Sequence, residues 1–410
     1  MRAFVATEQH FIEYNGAVYM TTVGAYSFWQ RYLDVFDEVV VVARVEKRAV
    51  LPGRVIRADG DGVCFFPMPD YTGPWQYLRA WPVLRRRARE VAQRDGAFIL
   101  RIPGAIGTLL WRWLKHYGKP FGAEIVGDPY DSLSPQSWKS RWAYLVRPWA
   151  VRQLKAQCRE ACCTAYVTRE ALQRRYPPGN GFSMNYSSLK ELPESMLAMR
   201  EVDAIAALQG EEPREQWLVF VGTLAQLYKG PDVLIRALGQ CVEAGTDLHL
   251  TVIGDGRMRP ELEMLTDRLG LTERVHFLGQ IPSGEPVFEQ LRRADLFVLP
   301  SRQEGLPRAM IEAMACGLPC IGSTIGGIPE LLSPEDMVPP GDANALAQKI
   351  SKGVAYLARM QSMARRNLAV AQEYRTEVLE PRRTEFYEWV WEATERWLAR
   401  SKLLTLPLST

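Results

Sequence analysis

The stretch "PSRQEGLPRAMIEAMACGLPC" (300–320) places two carboxylates, Glu304 and Glu312, eight positions apart in an apolar setting. The preceding "DLFVLPSR" (295–302) reads as a buried strand. Ile311, Met314, Ala315 and Leu318 then form an i, i+3, i+4, i+7 helical stripe, and Pro307 suits the first turn of that helix. Glu304 therefore falls in a turn and Glu312 inside a helix. Structural duties alone would account for them: Glu304 compensating the helix dipole, Glu312 pairing with Arg308 at i,i+4. Their position implies more. The turn Gly305-Leu306-Pro307 joins a strand to a helix, where free N–H groups and the dipole favour an anion such as phosphate. A carboxylate beside a phosphate is repelled unless hydroxyls donate to it, and sugar and ribose hydroxyls are such donors. Two glutamates flanking a phosphate cradle suit a nucleotide sugar, one for the hexose and one for the ribose.

The elements around this stretch support a cleft position. "WLVFVGTL" (217–224), "LHLTVIGDG" (248–256), "RVHFLGQI" (274–281), "DLFVLPSR" and "LPCIGST" (318–324) read as buried strands running into Gly, Pro or Ser. Helical patterns or turns follow them, which indicates a parallel sheet covered on both faces. Ligands of such sheets bind at the carboxyl ends of the strands, so Gly222, Gly254, Gly279 and Ser301 share one rim. The first half repeats the plan with "RAFVAT" (2–7), "EVVVVARV" (38–45), "AFILRIP" (97–103), "PFGAEIVGD" (120–128) and "CTAYVT" (163–168). Pro, Gly and charge concentrate at 177–215, as in a linker. The expected division is 1–190, a linker at 191–215, 216–375, and a tail helix at 376–410 whose three tryptophans need a surface to cover.

With the order and spacing of "FVGTL", "KGPDVLI", "LTVIGDGRM", "VHFLGQIP", "LFVLPSRQEGLPRAMIEAMACGLPCI" and "GGIPELL", residues 217–350 resemble the nucleotide-sugar domain of retaining glycosyltransferases of family four, which have the GT-B fold. The resemblance implies two Rossmann-like domains facing across a cleft, donor in the C-terminal half, acceptor in the N-terminal half, and a tail helix returning to the N-terminal domain. It implies that Glu312 binds ribose hydroxyls, that Glu304 contacts the donor sugar, and that backbone at Gly305, Leu306 and Pro307 lies near sugar and diphosphate. Gly254 belongs to the same donor rim, and backbone near Gln280 and Ile281 would hold the base. Lys229 would bind the diphosphate. A fixed cation there also has its own rationale, because cleavage of a sugar–phosphate bond builds charge on the leaving group. The family usually has arginine where this chain has Thr223, and Arg257 or Arg308 would have to supply the second cation. In the first half, Gly16 offers close backbone approach or a plain turn. Asp128 offers a carboxylate for the acceptor hydroxyl or sugar, or a common Asp-Pro turn. No DxD metal motif stands out, and neither a metal nor a resident cofactor is expected.

Composition sets the bounds. The 410 residues carry a formal net charge of +3, which gives no whole-chain case for nucleic-acid binding. The seven cysteines show no zinc spacing and read as free packing residues of a reduced cytoplasm. The first residues turn polar after six positions, unlike a signal peptide, and no apolar run reaches the roughly 20 residues of a membrane span. Two basic stretches, 79–94 and 138–160, each hold six basic residues against one glutamate, with interleaved tryptophans. They suit either an anionic membrane surface presenting a lipid-linked acceptor or a solvated outer face. The expected protein is a cytoplasmic glycosyltransferase, peripheral to the membrane's inner face, moving a hexose by front-face substitution in polysaccharide or glycolipid synthesis. Its rivals are a nucleotide-sugar epimerase of the same fold and a catalytically silent nucleotide-sugar-binding protein at a membrane.

Overall fold

In the computed structural model, residues 1–20, 25–53, 55–133, 143–189, 192 and 215–405 are described. The chain divides into two compact units. The first comprises Met1–Pro129, Pro148–Tyr186 and Glu380–Thr410, the second Tyr130–Arg147 and Ser187–Leu379. The sequence reading put 130–147 with the first half. Its linker at 191–215 lies outside the described residues, save for Leu192 and Glu215.

β-branched and aromatic runs build the first sheet. Its strands are β1 (Arg2–Tyr14), β2 (Ala17–Met20), β3 (Glu38–Lys47), β4 (Ile56–Arg57), β5 (Val63–Met68), β6 (Ala97–Ile102), β7 (Gly122–Ile125), β8 (Cys163–Tyr166) and β9 (Phe182–Asn185). Seven run parallel in the order β5-β3-β1-β6-β7-β8-β9, while β2 pairs antiparallel with the last three residues of β1 and β4 pairs antiparallel with β2. All six residues of β6 are buried, as in a strand covered on both faces.

The tail helix Thr376–Thr405 packs on this sheet through Phe386, Tyr387 and Val390, each at most 1% exposed. Gly122 makes room: a Cβ there would lie 2.4 Å from Val390 Cγ2. The tryptophans cover the surface at the edge of this contact, Trp397 lying under Lys119 Nζ at 5.1 Å. Trp389 is 36% exposed and stacks on Phe182 at 5.0 Å.

The second sheet is wholly parallel. Its strands are β10 (Gln216–Val221), β11 (Leu248–Ile253), β12 (Val275–Gly279), β13 (Leu296–Leu299), β14 (Cys320–Ser323) and β15 (Met337–Val338), in the order β12-β11-β10-β13-β14-β15. The order reverses between β10 and β13. A crevice opens at such a switch point beyond the carboxyl ends of the strands, and the loops after β10 and β13 carry Lys229 and Glu304.

Candidate active site

Three close backbone approaches shape the crevice of the second unit. After β10, the loop through Gly222 and Leu224 lies on the loop after β11: Leu224 N–H donates to Asp255 O at 2.9 Å and Met258 N–H to Leu224 O at 2.9 Å. Gly254 (φ 137°) permits this, since a Cβ there would sit 1.9 Å from Gly222 O. The chain then makes a short turn, Leu227–Lys229, ending in Gly230 at φ 76°. A Cβ on Gly230 would meet Pro300 O at 2.1 Å, so the β10 loop is seated on the end of β13. Gly326 (φ 58°) seats the loop after β14 in the same way against Glu304 O, and Gly327 N–H donates to Gly305 O at 2.6 Å.

These contacts bring Lys229 and Glu304 together. Lys229 Nζ lies 2.6 Å from Glu304 Oε1, and Ser301 Oγ donates to the same oxygen at 2.7 Å. The Glu304 residue is 7% exposed. Beside it, Arg302 clamps Asp232 through two 2.8 Å bonds and donates to Leu227 O at 2.7 Å. This rivet holds the Lys229 turn to the start of helix Pro231–Glu243. Sequence reasoning missed Ser301, Arg302, Asp232 and Gly326 as positioning residues; the acidic residue three after Lys229 in "KGPD" was the available signal.

Leu306 and Pro307 are buried and lead into helix Arg308–Ala315. Pro307 caps this helix with extended backbone instead of forming its first turn. Glu312 is half-buried in the helix and makes no ion pair or side-chain hydrogen bond among the described residues. Burial pushes its carboxyl pKa up, and the positive charge of Arg308 one turn earlier only partly offsets this. Pairing with Arg308 therefore does not explain Glu312. Thr223 is exposed, its hydroxyl accepting from Ala225 N–H at 3.2 Å. Arg257 is exposed and donates to Ala225 O at 2.8 Å, which ties it to the loop that carries Thr223. Arg308 is half-buried at the helix start. Gln280 and Ile281 follow β12 on the rim, exposed and half-buried respectively.

Two expected residues of the first unit have evident structural duties. Asn15 and Gly16 (φ 49° and 78°) form the two-residue loop of the β1–β2 hairpin, which requires positive φ at both positions. Gly16 is exposed with nothing within 4 Å of its would-be Cβ, so the turn alone accounts for the glycine. Asp128 is 7% exposed, and its carboxylate accepts from Arg175 and from the Tyr176 hydroxyl. It pins helix Ala171–Arg175 to the end of β7. Among the described residues, no group of three or more His, Cys, Asp or Glu could hold a metal ion.

The crevice thus joins a buried lysine–glutamate pair to a helix-opening turn at the switch point of a doubly wound sheet. Residues 215–355 match the family Glycosyl transferases group 1. Protein CapJ of Staphylococcus aureus is 25% identical over 338 residues, 80% of this chain and 81% of CapJ. The D-inositol 3-phosphate glycosyltransferase of Mycobacterium sp. (strain KMS) is 37% identical over 127 residues, 31% of this chain and 28% of that protein. In fold, the chain resembles Anabaena HepE, solved in complex with UDP-glucose, with a TM-score of 0.61 at 17% identity over 94% of this chain and 98% of that one. These similarities define the class, an α/β transferase with two Rossmann-like domains. The chain is a glycosyltransferase with a group 1 domain and the GT-B fold.

Proposed function

We propose that the protein transfers a hexose from a nucleoside-diphosphate sugar to a hydroxyl acceptor with retention of anomeric configuration. The observation that carries this reading is the Lys229–Glu304 pair at the switch point, with the turn 305–307 beside it. Glu304 accepts from the sugar hydroxyls, and Lys229 takes the charge that develops on the departing diphosphate. Glu312 accepts from the ribose hydroxyls, where partial burial strengthens its hydrogen bonds. Arg257 supplies the second cation in place of an arginine at position 223, because it is already tied to that loop. Gln280 and Ile281 lie along the base. The incoming hydroxyl attacks from the face the diphosphate leaves, and a diphosphate oxygen takes its proton.

The N-terminal domain takes the acceptor. Among the described residues no helix is long and apolar enough to cross a membrane. The exposed basic and aromatic side chains of the first unit favour an acceptor linked to lipid and met at the inner membrane face, as in cell-surface polysaccharide or glycolipid synthesis. The UDP-glucose complex of HepE makes UDP-hexoses the first donors to try. The test is incubation with each UDP-hexose and a lipid extract, with product anomers read by NMR. Release of UDP with an α-linked product from an α-linked donor is expected. An inverted product would refute retention, and donor isomerisation without an acceptor would replace transfer by epimerisation.

A further inference from the structure

The helix Gly73–Gln93 begins soon after β5 ends, so its first turns stand at the carboxyl rim of the first sheet. It buries Leu84, Ala88, Val91 and Ala92 against the domain. Its outer side mixes large apolar and basic side chains. Trp75 is 83% exposed, Leu78 60% and Trp81 37%. Arg79, Arg85, Arg86 and Arg89 are exposed along the same helix. A groove of ≈ 400 Å³ separates it from the neighbouring helix Ala105–His116, lined by Trp81, Arg85, Leu109, Arg112, Trp113 and His116. The Arg85 guanidinium stands over two of these rings, 5.5 Å from the centre of Trp81 and 5.7 Å from that of Trp113.

No carboxylate lines the groove. The acids nearby are already taken: Glu90 pairs with Arg87 and Arg94, and Glu160 with Lys115. Among the described residues, Arg79, Arg85, Arg86, Arg89 and Arg112 make no ion pair. Arg85, Arg89 and Arg112 gather at the groove and the Trp113 ring, where their like charges repel one another, and large apolar side chains beside them stand in water. An anionic surface with an apolar layer beneath it satisfies both at once. Guanidinium binds phosphate by a planar fork, and tryptophan suits the boundary between headgroups and acyl chains.

We propose that this face docks on an anionic phospholipid bilayer, with the groove as a headgroup-phosphate site bound by Arg85 and Arg112 and with Trp75 and Leu78 entering the acyl boundary. The site gives a location to the membrane-presented acceptor proposed above and rests on that reading only for its purpose, since docking is measured without sugar transfer.

The full chain is sedimented with vesicles of phosphatidylcholine alone and with added phosphatidylglycerol, at low and high salt. Binding is expected only with the anionic lipid and is expected to weaken with salt. Arg85→Glu with Arg112→Glu should reduce it at least about tenfold. Trp75→Ser should abolish the quenching of tryptophan fluorescence by brominated acyl chains. Hydrolysis of the nucleotide sugar should be unchanged in all variants, which separates failure of docking from failure of the enzyme reading. Equal binding to neutral vesicles, or unchanged binding by the double variant, would overturn the proposal. So would release from the vesicles by millimolar inorganic phosphate at constant ionic strength, which would mark a site for free phosphate.

Discussion

Lys229 and Glu304 meet at 2.6 Å, and Ser301 shares the same carboxylate oxygen. The two charges neutralise each other within the crevice. A donor that engages Lys229 with its diphosphate and Glu304 with its sugar must separate them. Each group is then already desolvated and aimed, so little reorganisation is left for the chemical step. Removing one partner strands the other. Lys229→Met should lower turnover at least about 10²-fold and also lower stability. Loss of one partner of a buried pair costs about 3–5 kcal/mol, and with Lys229 partly exposed we expect nearer about 2. Adding Glu304→Gln should restore the melting temperature but not the turnover. A Lys229→Met enzyme with wild-type turnover and a native circular dichroism spectrum would falsify the role.

The two glutamates should separate by ligand. Glu304→Gln frees Lys229, so nucleoside diphosphate should bind at least as tightly as to the wild type while sugar transfer collapses. Glu312→Ala should weaken the nucleoside diphosphate and the intact donor alike. Titration calorimetry with both ligands decides, and parallel losses in both variants would sink this division.

Glu312 also predicts a pH signature. Burial raises its folded carboxyl pKa above the usual range. The folded chain therefore holds that proton more tightly than the unfolded chain. The resulting penalty is absent below the ordinary carboxylate value of about 4.3. It grows as pH rises toward the raised value and is constant above it. Glu312→Gln should thus melt higher than wild type at neutral pH, and the gap should narrow on acidification. A gap that widens toward acid would reverse the assignment.

Arg257 and Arg308 are distinguishable too. Arg257 is anchored at Ala225, two residues from Thr223, so Arg257→Ala should raise the dissociation constant for nucleoside diphosphate about tenfold, as loss of a charged hydrogen bond does. Arg308→Ala should have the smaller effect on this constant. The opposite ranking in a filter-binding assay would make Arg308 the second cation.

What the sequence made legible follows from how local each signal is. The second sheet announced itself because "WLVFV", "LHLTVI" and "LFVL" are apolar runs that stop at glycine or proline, and the fold is that of the resembled family. β5 was missed because Pro67 interrupts "VCFFPM", although the strand pairs in parallel with β3 across it. Asn15-Gly16 carries a strong hairpin signal, yet the sequence leaves Gly16 open between a ligand loop and a plain turn, because nothing local shows that β1 extends to Tyr14 and pairs with Ala17. The clamp of Arg302 on Asp232 and the fit of Phe386 over Gly122 join residues 70 or more positions apart, and no local pattern marks such pairs. Asp128 stood at a strand end as a catalytic acid would, and only the fold shows Arg175 and Tyr176 closing on it.

Two glycines with the same sign of φ should respond differently to alanine. Gly326 (φ 58°) touches Glu304: a Cβ would lie 2.2 Å from Glu304 O, so either that backbone or the loop must move. A displacement there shifts the carboxylate relative to Lys229. Misplacement by about 1 Å can cost about 10²-fold, so Gly326→Ala should lose at least about tenfold in kcat/KM. Gly16 (φ 78°) has open space around its would-be Cβ. Gly16→Ala meets only the strain of positive φ, about 1 kcal/mol, and should keep full activity with a slightly lower melting temperature. Measuring kcat/KM and thermal melting for both variants tests the assignment of each glycine. If Gly16→Ala instead abolished transfer while remaining folded, the hairpin turn would have to be a ligand contact after all.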